Sequence, residues 1–208
     1  MYLFQRQLRL MGGASAIGWA MEVTARVQEI GEMPVALWAG AVGVPTGTIM
    51  WSAPVDGMAA VAAMNDRLDA DDQLKKLVVD HGRDFVVEVM PDRLSMIIHG
   101  EISGEAPIGS FVGGVTANAA PGQWGAAGAW APKIADMYTE ITGRSVVVTT
   151  TTAGSMGEFS WYARHEDAAS IDAATAATFA SEEYGAELDR AGDLFQPGSA
   201  WVFARRIA

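Results

Sequence analysis

One stretch of this chain occurs twice. Moved along by 110 positions, Trp51 falls on Trp161, Asp56 on Glu166, Val61 on Ile171, Leu74 on Tyr184, Val78 on Leu188, Gly82 on Gly192 and Phe85 on Phe195. Seven chemically matched pairs at one offset are too many for coincidence, and an internal repeat governs how every other element is read. The fold must therefore be built from two similar halves.

Each half reads β-α-β-β-α-β. Tyr2–Leu10 alternates, with Tyr2, Phe4, Leu8 and Leu10 on one side and Leu3, Gln5, Gln7 and Arg9 on the other, which is the period of a strand. The second side is polar enough to be either an exposed face or the lining of a polar cavity. Beyond the turn at Gly12-Gly13, Trp19, Val23, Val27 and Ile30 form a helical stripe. Trp130, Ile134, Tyr138 and Ile141 repeat it at an offset of 111. Pro132 is expected near the start of that second helix, and Gly31 and Gly143 near the two C-termini. Strands follow at Pro34–Val42 and Ser145–Thr152, then at Thr48–Ala53 and Glu158–Ala163. Asp56 and Asp167 are placed to cap the next helices. Those helices carry Val61, Met64 and Leu68 in the first half and a weaker stripe, Ile171, Ala174 and Thr178, in the second. The last strands are Leu94–His99 and Ala200–Arg205.

This is the ferredoxin-like split βαβ order, met twice. The turn-rich segment Gly100–Ser110 joins the halves, and the boundary is set near Gly104, giving units 1–103 and 104–208. The second half also has an extra Gly/Ala-rich stretch, Ala119–Gly128, which reads as a padded turn or as a loop over the sheet opening.

Composition narrows the classes of function. Half of the 208 residues are hydrophobic, enough for a packed core. The formal net charge is −11, and Lys75, Lys76 and Lys133 are the only lysines. That argues against nucleic acid, whose phosphates call for clustered cations, and against anionic membrane surfaces. There is no cysteine, so disulfides, thiolate metal sites and cysteine nucleophiles are excluded. No apolar run approaches the roughly 18–20 residues of a membrane helix, and the first residues lack a signal-peptide core. The sequence reads as cytoplasmic.

A four-stranded sheet with both helices on one face leaves its other face bare, and two such units can bury theirs together. The chain is thus expected to be an α+β protein: two tandem ferredoxin-like βαββαβ repeats packed sheet-to-sheet as an intramolecular dimeric α+β barrel. The segments Met50-Trp51-Ser52-Ala53-Pro54-Val55-Asp56 and Ser160-Trp161-Tyr162-Ala163-Arg164-His165-Glu166, with Glu183-Tyr184 through Phe195, carry a resemblance to the dimeric α+β barrel superfamily. Nearly the whole chain resembles its antibiotic-biosynthesis-monooxygenase-like and NIPSNAP-like branches. The resemblance implies a small organic molecule held between the two sheets. It also implies one of several chemistries, among them cofactor-independent oxygenation. The tandem layout is similar to that of the chlorite dismutase and coprohaem decarboxylase group, which implies haem as an alternative.

Candidate residues follow from strand faces. If Phe159 and Trp161 pack on the helices, then Glu158, Ser160, Tyr162 and Arg164 face the barrel interior with Gln5 and Gln7. The second half has Tyr162, Arg164 and His165 where the first has Ser52, Pro54 and Val55, so Tyr162, Arg164 and His165 are the expected catalytic residues. Gln5, Gln7, His99 and Glu158 are the expected substrate-binding residues. His81, His99 and His165 are not spaced as metal ligands, so neither metal nor cofactor is expected. Gly12-Gly13 and Gly113-Gly114 lack the rest of a phosphate loop, and no nucleophile elbow occurs. Three readings stay open: a cofactor-free enzyme or binding protein for a small organic molecule, a haem protein, and a structural protein with a side-chain-filled lumen. A chain that has internalised its own barrel can be monomeric, though further pairing into a homo-oligomer through edge strands stays open.

Overall fold

A computed structural model covers residues 1–208. The first half runs β1 (Tyr2–Leu10), α1 (Gly13–Gly31), β2 (Ala36–Val42), β3 (Thr48–Val55), α2 (Met58–Ala70), α3 (Asp72–Lys76), a π-helical turn (Leu77–His81), α4 (Gly82–Phe85), β4 (Val86–Val89) and β5 (Arg93–His99). The second half runs β6 (Phe111–Asn118), α5 (Trp124–Thr142), β7 (Val146–Ala153), β8 (Glu158–His165), α6 (Ala168–Ala180), α7 (Glu182–Arg190) and β9 (Ala200–Arg206). No helix is long and apolar enough to cross a membrane.

The strands form two antiparallel sheets, β5-β1-β3-β2 and β9-β6-β8-β7. They meet edge to edge. β2 pairs with β9 (Trp38 opposite Arg206), and β5 pairs with β7 (Met96 opposite Thr150). The result is a closed eight-stranded antiparallel barrel with the helices outside. The bare faces are buried inside a barrel made by the one chain, as expected, and closure leaves neither sheet's edge free. The short β4 pairs with the end of β1 as a side branch.

Each seam ends in a glycine that no other residue can replace without strain. Gly43 and Gly100 have φ of 83° and 70°. A Cβ on either would run into a backbone carbonyl across the seam, that of Trp201 or of Val146.

The repeated tryptophans do the same job in each half. Trp51 on β3 donates its indole N–H to Thr24 Oγ1 of α1 at 2.7 Å, and Trp161 on β8 donates to the Ala131 carbonyl of α5 at 2.9 Å. Both tie the sheet to the long helix behind it. The first-half core is the larger, with 17 buried hydrophobic residues against 7 in the second. Ile49 lies at its centre, fully buried. Ile49→Ala is expected to cost about 2–5 kcal/mol, read from chemical denaturation.

Three local expectations are corrected. Asp167 caps α6 in a capping box, accepting from Ser170 N at 2.8 Å, but Asp56 does not cap α2, whose N-cap is Gly57. The repeat aligns Asp56 with Glu166, so the two aspartates are not equivalent. Pro132 sits in the interior of α5, because Trp124–Gly128 of the Gly/Ala-rich stretch is helical rather than turn. Gly143 is the left-handed C-cap of α5, whereas in α1 Glu32 takes that conformation and Gly31 is the last helical residue.

Candidate functional site

β8 alternates as its sequence requires. Phe159 and Trp161 point outward and pack on α5, while Glu158, Ser160 and Tyr162 point into the barrel. The lumen mixes apolar side chains such as Leu3, Met50 and Val147 with hydrogen-bonded polar ones. Thr116 and Ser160 hydroxyls lie 3.1 Å apart, Trp38 donates its indole N–H to Ser52 at 2.9 Å, and Tyr162 donates its hydroxyl to Gln5 at 3.2 Å.

The residues singled out from sequence do not form one site. Gln5, Tyr162, Arg164 and His165 line a wide cavity of about 1000 Å³ at the end of the barrel where the inter-half segment crosses. Glu158 is buried at the far end of β8 from Arg164, accepting from Thr151 at 3.1 Å and paired with Arg93 at 3.5 Å. Gln7 faces the lumen opposite Met50 and lines neither this cavity nor the one described next. His99 is outside the barrel. A bulge after Ile97 turns its ring toward α5, where Nε2 meets Asp136 at 2.8 Å. The histidines lie apart, and no group of three or more His, Asp or Glu is placed to hold a metal ion.

A second cavity, of about 280 Å³, lies between the outer face of the second sheet and α5, α6 and α7. The repeat explains why it is there and not in the first half. Phe4 stands opposite Ala53 and Leu8 opposite Ile49; at the matching places Gly113 stands opposite Ala163 and Ala117 opposite Phe159. On the helix, Met64 and Leu68 give way to Ala174 and Thr178. The first half fills this space with side chains, and the second leaves it open. The weak stripe Ile171-Ala174-Thr178 was a sequence signal of it.

The walls are apolar and aromatic. Trp130, Trp161, Phe159 and Phe195 form a cluster with ring centroids 5.5–6.4 Å apart. Trp130 is held by the buried carboxylate of Glu187, which accepts its indole N–H at 3.0 Å and is paired with Lys133 and Arg190, both at 2.7 Å. The Lys133 ammonium, ahead of Arg190, keeps the Glu187 carboxyl below its ordinary range. Trp130 should thus become less fixed in acid as Glu187 protonates, a change that tryptophan fluorescence reads and Glu187→Gln removes.

Few polar groups enter this cavity. Tyr138 and Tyr184 line it, and burial raises both phenols, that of Tyr184 to about 12 with Tyr138 adding to the effect. Both are therefore protonated donors at neutral pH. His165, the last residue of β8, is 2 % exposed, and its Nδ1 has no hydrogen-bond partner. A Cβ on Gly113 would lie 3.5 Å from its Nε2 and 2.9 Å from the Phe203 ring, so glycine here keeps space beside the imidazole. Burial first, then the Arg144 guanidinium, lower its pKa from 6.5 against a backbone hydrogen bond to Ser170. His165 is a neutral base at pH 7. It lines both cavities and forms part of the wall between them.

No protein-family model matches the sequence, and no curated protein sequence matches it either. Solved structures do. A candidate monooxygenase from Fusobacterium nucleatum superposes with a TM-score of 0.74 at 9 % identity, over 100 % of this chain and 92 % of that one. An anthrone oxidase-like protein gives 0.67 at 11 %, over 100 % and 92 %. A mutant chlorite dismutase from Candidatus Nitrospira defluvii gives 0.56 at 11 %, over 98 % and 90 %. These likenesses establish the fold: a ferredoxin-like dimeric α+β barrel, here made by one chain.

Proposed function

We propose that the protein binds a small aromatic molecule in the cavity behind the second sheet and oxygenates it without a cofactor. The observation that carries this reading is the buried, neutral His165, with an unpartnered nitrogen, at the edge of an otherwise apolar chamber. A ligand cavity of this kind pairs apolar walls with a few convergent polar groups, and a displaced histidine in a cleft marks a candidate base. The monooxygenase-like and anthrone-oxidase-like neighbours share the fold at low identity and support the monooxygenase-like branch over the NIPSNAP-like one. The halves then act as two units joined near Gly104, the first a packed support and the second the chemical half.

The chemistry follows from the groups present. His165 takes a proton from a phenol, or from a methylene activated by an aromatic ketone. The electron-rich anion forms a C–O bond to dioxygen. The hydroperoxide, once protonated, loses water. The methylene carbon thus gives up both hydrogens and keeps one oxygen atom as a new carbonyl, while the other oxygen leaves with those hydrogens as water. Tyr138 and Tyr184 supply hydrogen bonds to the ketone oxygen as charge grows there.

Haem does not fit the same lining. A haem protein needs an axial ligand, and its propionates call for cations; the cavity offers one histidine and neither Lys nor Arg. A purely structural role would leave the chamber filled, as the first half is.

An oxygen electrode tests the proposal with anthrone as probe. One dioxygen consumed per quinone formed, with no hydrogen peroxide released, is the expected result. No uptake above the buffer rate overturns the oxygenase reading.

A further inference from the structure

The other cavity, at the barrel end, has a different chemistry. Three arginines converge there. Arg206 is buried and satisfied by Glu105, by the Ala106 carbonyl and by the Ala208 carbonyl at 3.1 Å. Arg144 is paired with Glu166 at 3.7 Å. Arg164 has neither an ion pair nor a hydrogen bond, in a chain whose net charge is −11.

Of the carboxylates on this wall, Glu105 and Glu166 are taken up by Arg206 and Arg144, and Glu101 is exposed; Tyr162 and Gln5 are donors beside Arg164. Tyr162 lies two residues back on the same strand face. Gln5, 5 % exposed, has one partner for its amide N–H pair, the Met50 sulfur at 3.3 Å. A thioether is a weak acceptor, so a buried donor is left poorly satisfied. His165, whose Nδ1 is without a partner, borders the same space. Leu3, Trp38, Pro54 and Val147 supply apolar wall.

We infer that the barrel end is a second ligand site, one that takes a small carboxylate with an apolar body, its carboxyl group on Arg164 and within reach of Tyr162 and Gln5. A guanidinium fork matches a planar carboxylate with two parallel hydrogen bonds. A neutral ligand would leave the free cation unmatched. This site is separate from the oxygenation chamber, and its occupancy does not depend on the reaction proposed there.

The test is titration of the whole protein with sodium benzoate, followed by NMR at the indole N–H of Trp38, which lines this cavity. Saturable binding is expected. It weakens by about tenfold or more in Arg164→Gln, less in Tyr162→Phe, and is partly recovered in Arg164→Lys. Benzamide, the neutral analogue, binds correspondingly worse. Arg164 is exposed at a strand end, so its substitution leaves the fold intact, which circular dichroism checks. Thr178→Leu, at a residue lining the other chamber, keeps benzoate binding. Absence of saturable binding, indifference to Arg164→Gln, or loss of binding in Thr178→Leu overturns the inference.

Discussion

Ala174→Leu and Thr178→Leu each weaken binding of a small aromatic such as 1-naphthol by at least about tenfold, and neither destabilises the fold. Both side chains are 5 % exposed; Thr178 lines the second-half chamber directly, and Ala174 lies one helical turn away. Leucine there restores the bulk that Met64 and Leu68 provide in the first half. Thr178 spends its hydroxyl on the Ala174 and Thr175 carbonyls of its own helix, so no tertiary hydrogen bond is lost. Filling a cavity commonly adds about 0.5–2 kcal/mol, which for a chain of this length raises Tm by roughly 2–4 °C per kcal/mol. The reverse change in the first half, Met64→Ala, opens a void in a close-packed core and costs about 2–5 kcal/mol. Substitutions at matched places thus have opposite signs, a contrast that thermal unfolding measures directly.

His165→Ala lowers the oxygenation rate by about a hundred- to ten-thousandfold, the range of a lost general base. Aromatic binding survives, because Trp130, Trp161 and the other apolar lining residues are untouched. The rate of the unaltered protein falls in acid, since the neutral imidazole is the active form, and its midpoint lies below 6.5. Stability carries the same signature. Above pH 6.5 both folded and unfolded imidazoles are neutral, and His165 adds no pH dependence. As the pH falls below 6.5 the unfolded chain binds a proton that the folded chain resists. The fold loses stability until the pH passes the depressed folded value. His165→Gln removes that part of the pH dependence, which urea melts at a series of pH values detect.

Much of this architecture was legible because it rests on short-range patterns. The repeated Trp51 and Trp161 marked two matching strands, and the alternation of β8 sorted its residues onto two faces, while which face meets the helices came only with the packing of Phe159 and Trp161 on α5. The barrel itself came with the resemblance, but the strand pairs that close it were not legible, because pairing of β2 with β9 joins residues from opposite ends of the chain. His99 illustrates a finer limit. Strand alternation placed it with Ser95, but a bulge resets the alternation, and a bulge is set by the partner strand. The chamber behind the second sheet escaped notice for a related reason. A glycine such as Gly113 on a strand and an alanine such as Ala174 on a helix are each unremarked alone. They define a void only when the fold sets them face to face. Comparing the halves position by position would have revealed it, since Phe4 and Leu8 have small counterparts in Gly113 and Ala117.

The most direct test of the central claim is an NMR titration of the whole protein with 1-naphthol, following the indole N–H resonances of all its tryptophans. Saturable shifts at Trp130 and Trp161, whose rings wall the chamber, together with a response of the His165 imidazole, are the expected result. Shifts confined to Trp38 at the barrel end, or no saturable shift at Trp130 and Trp161, would contradict it.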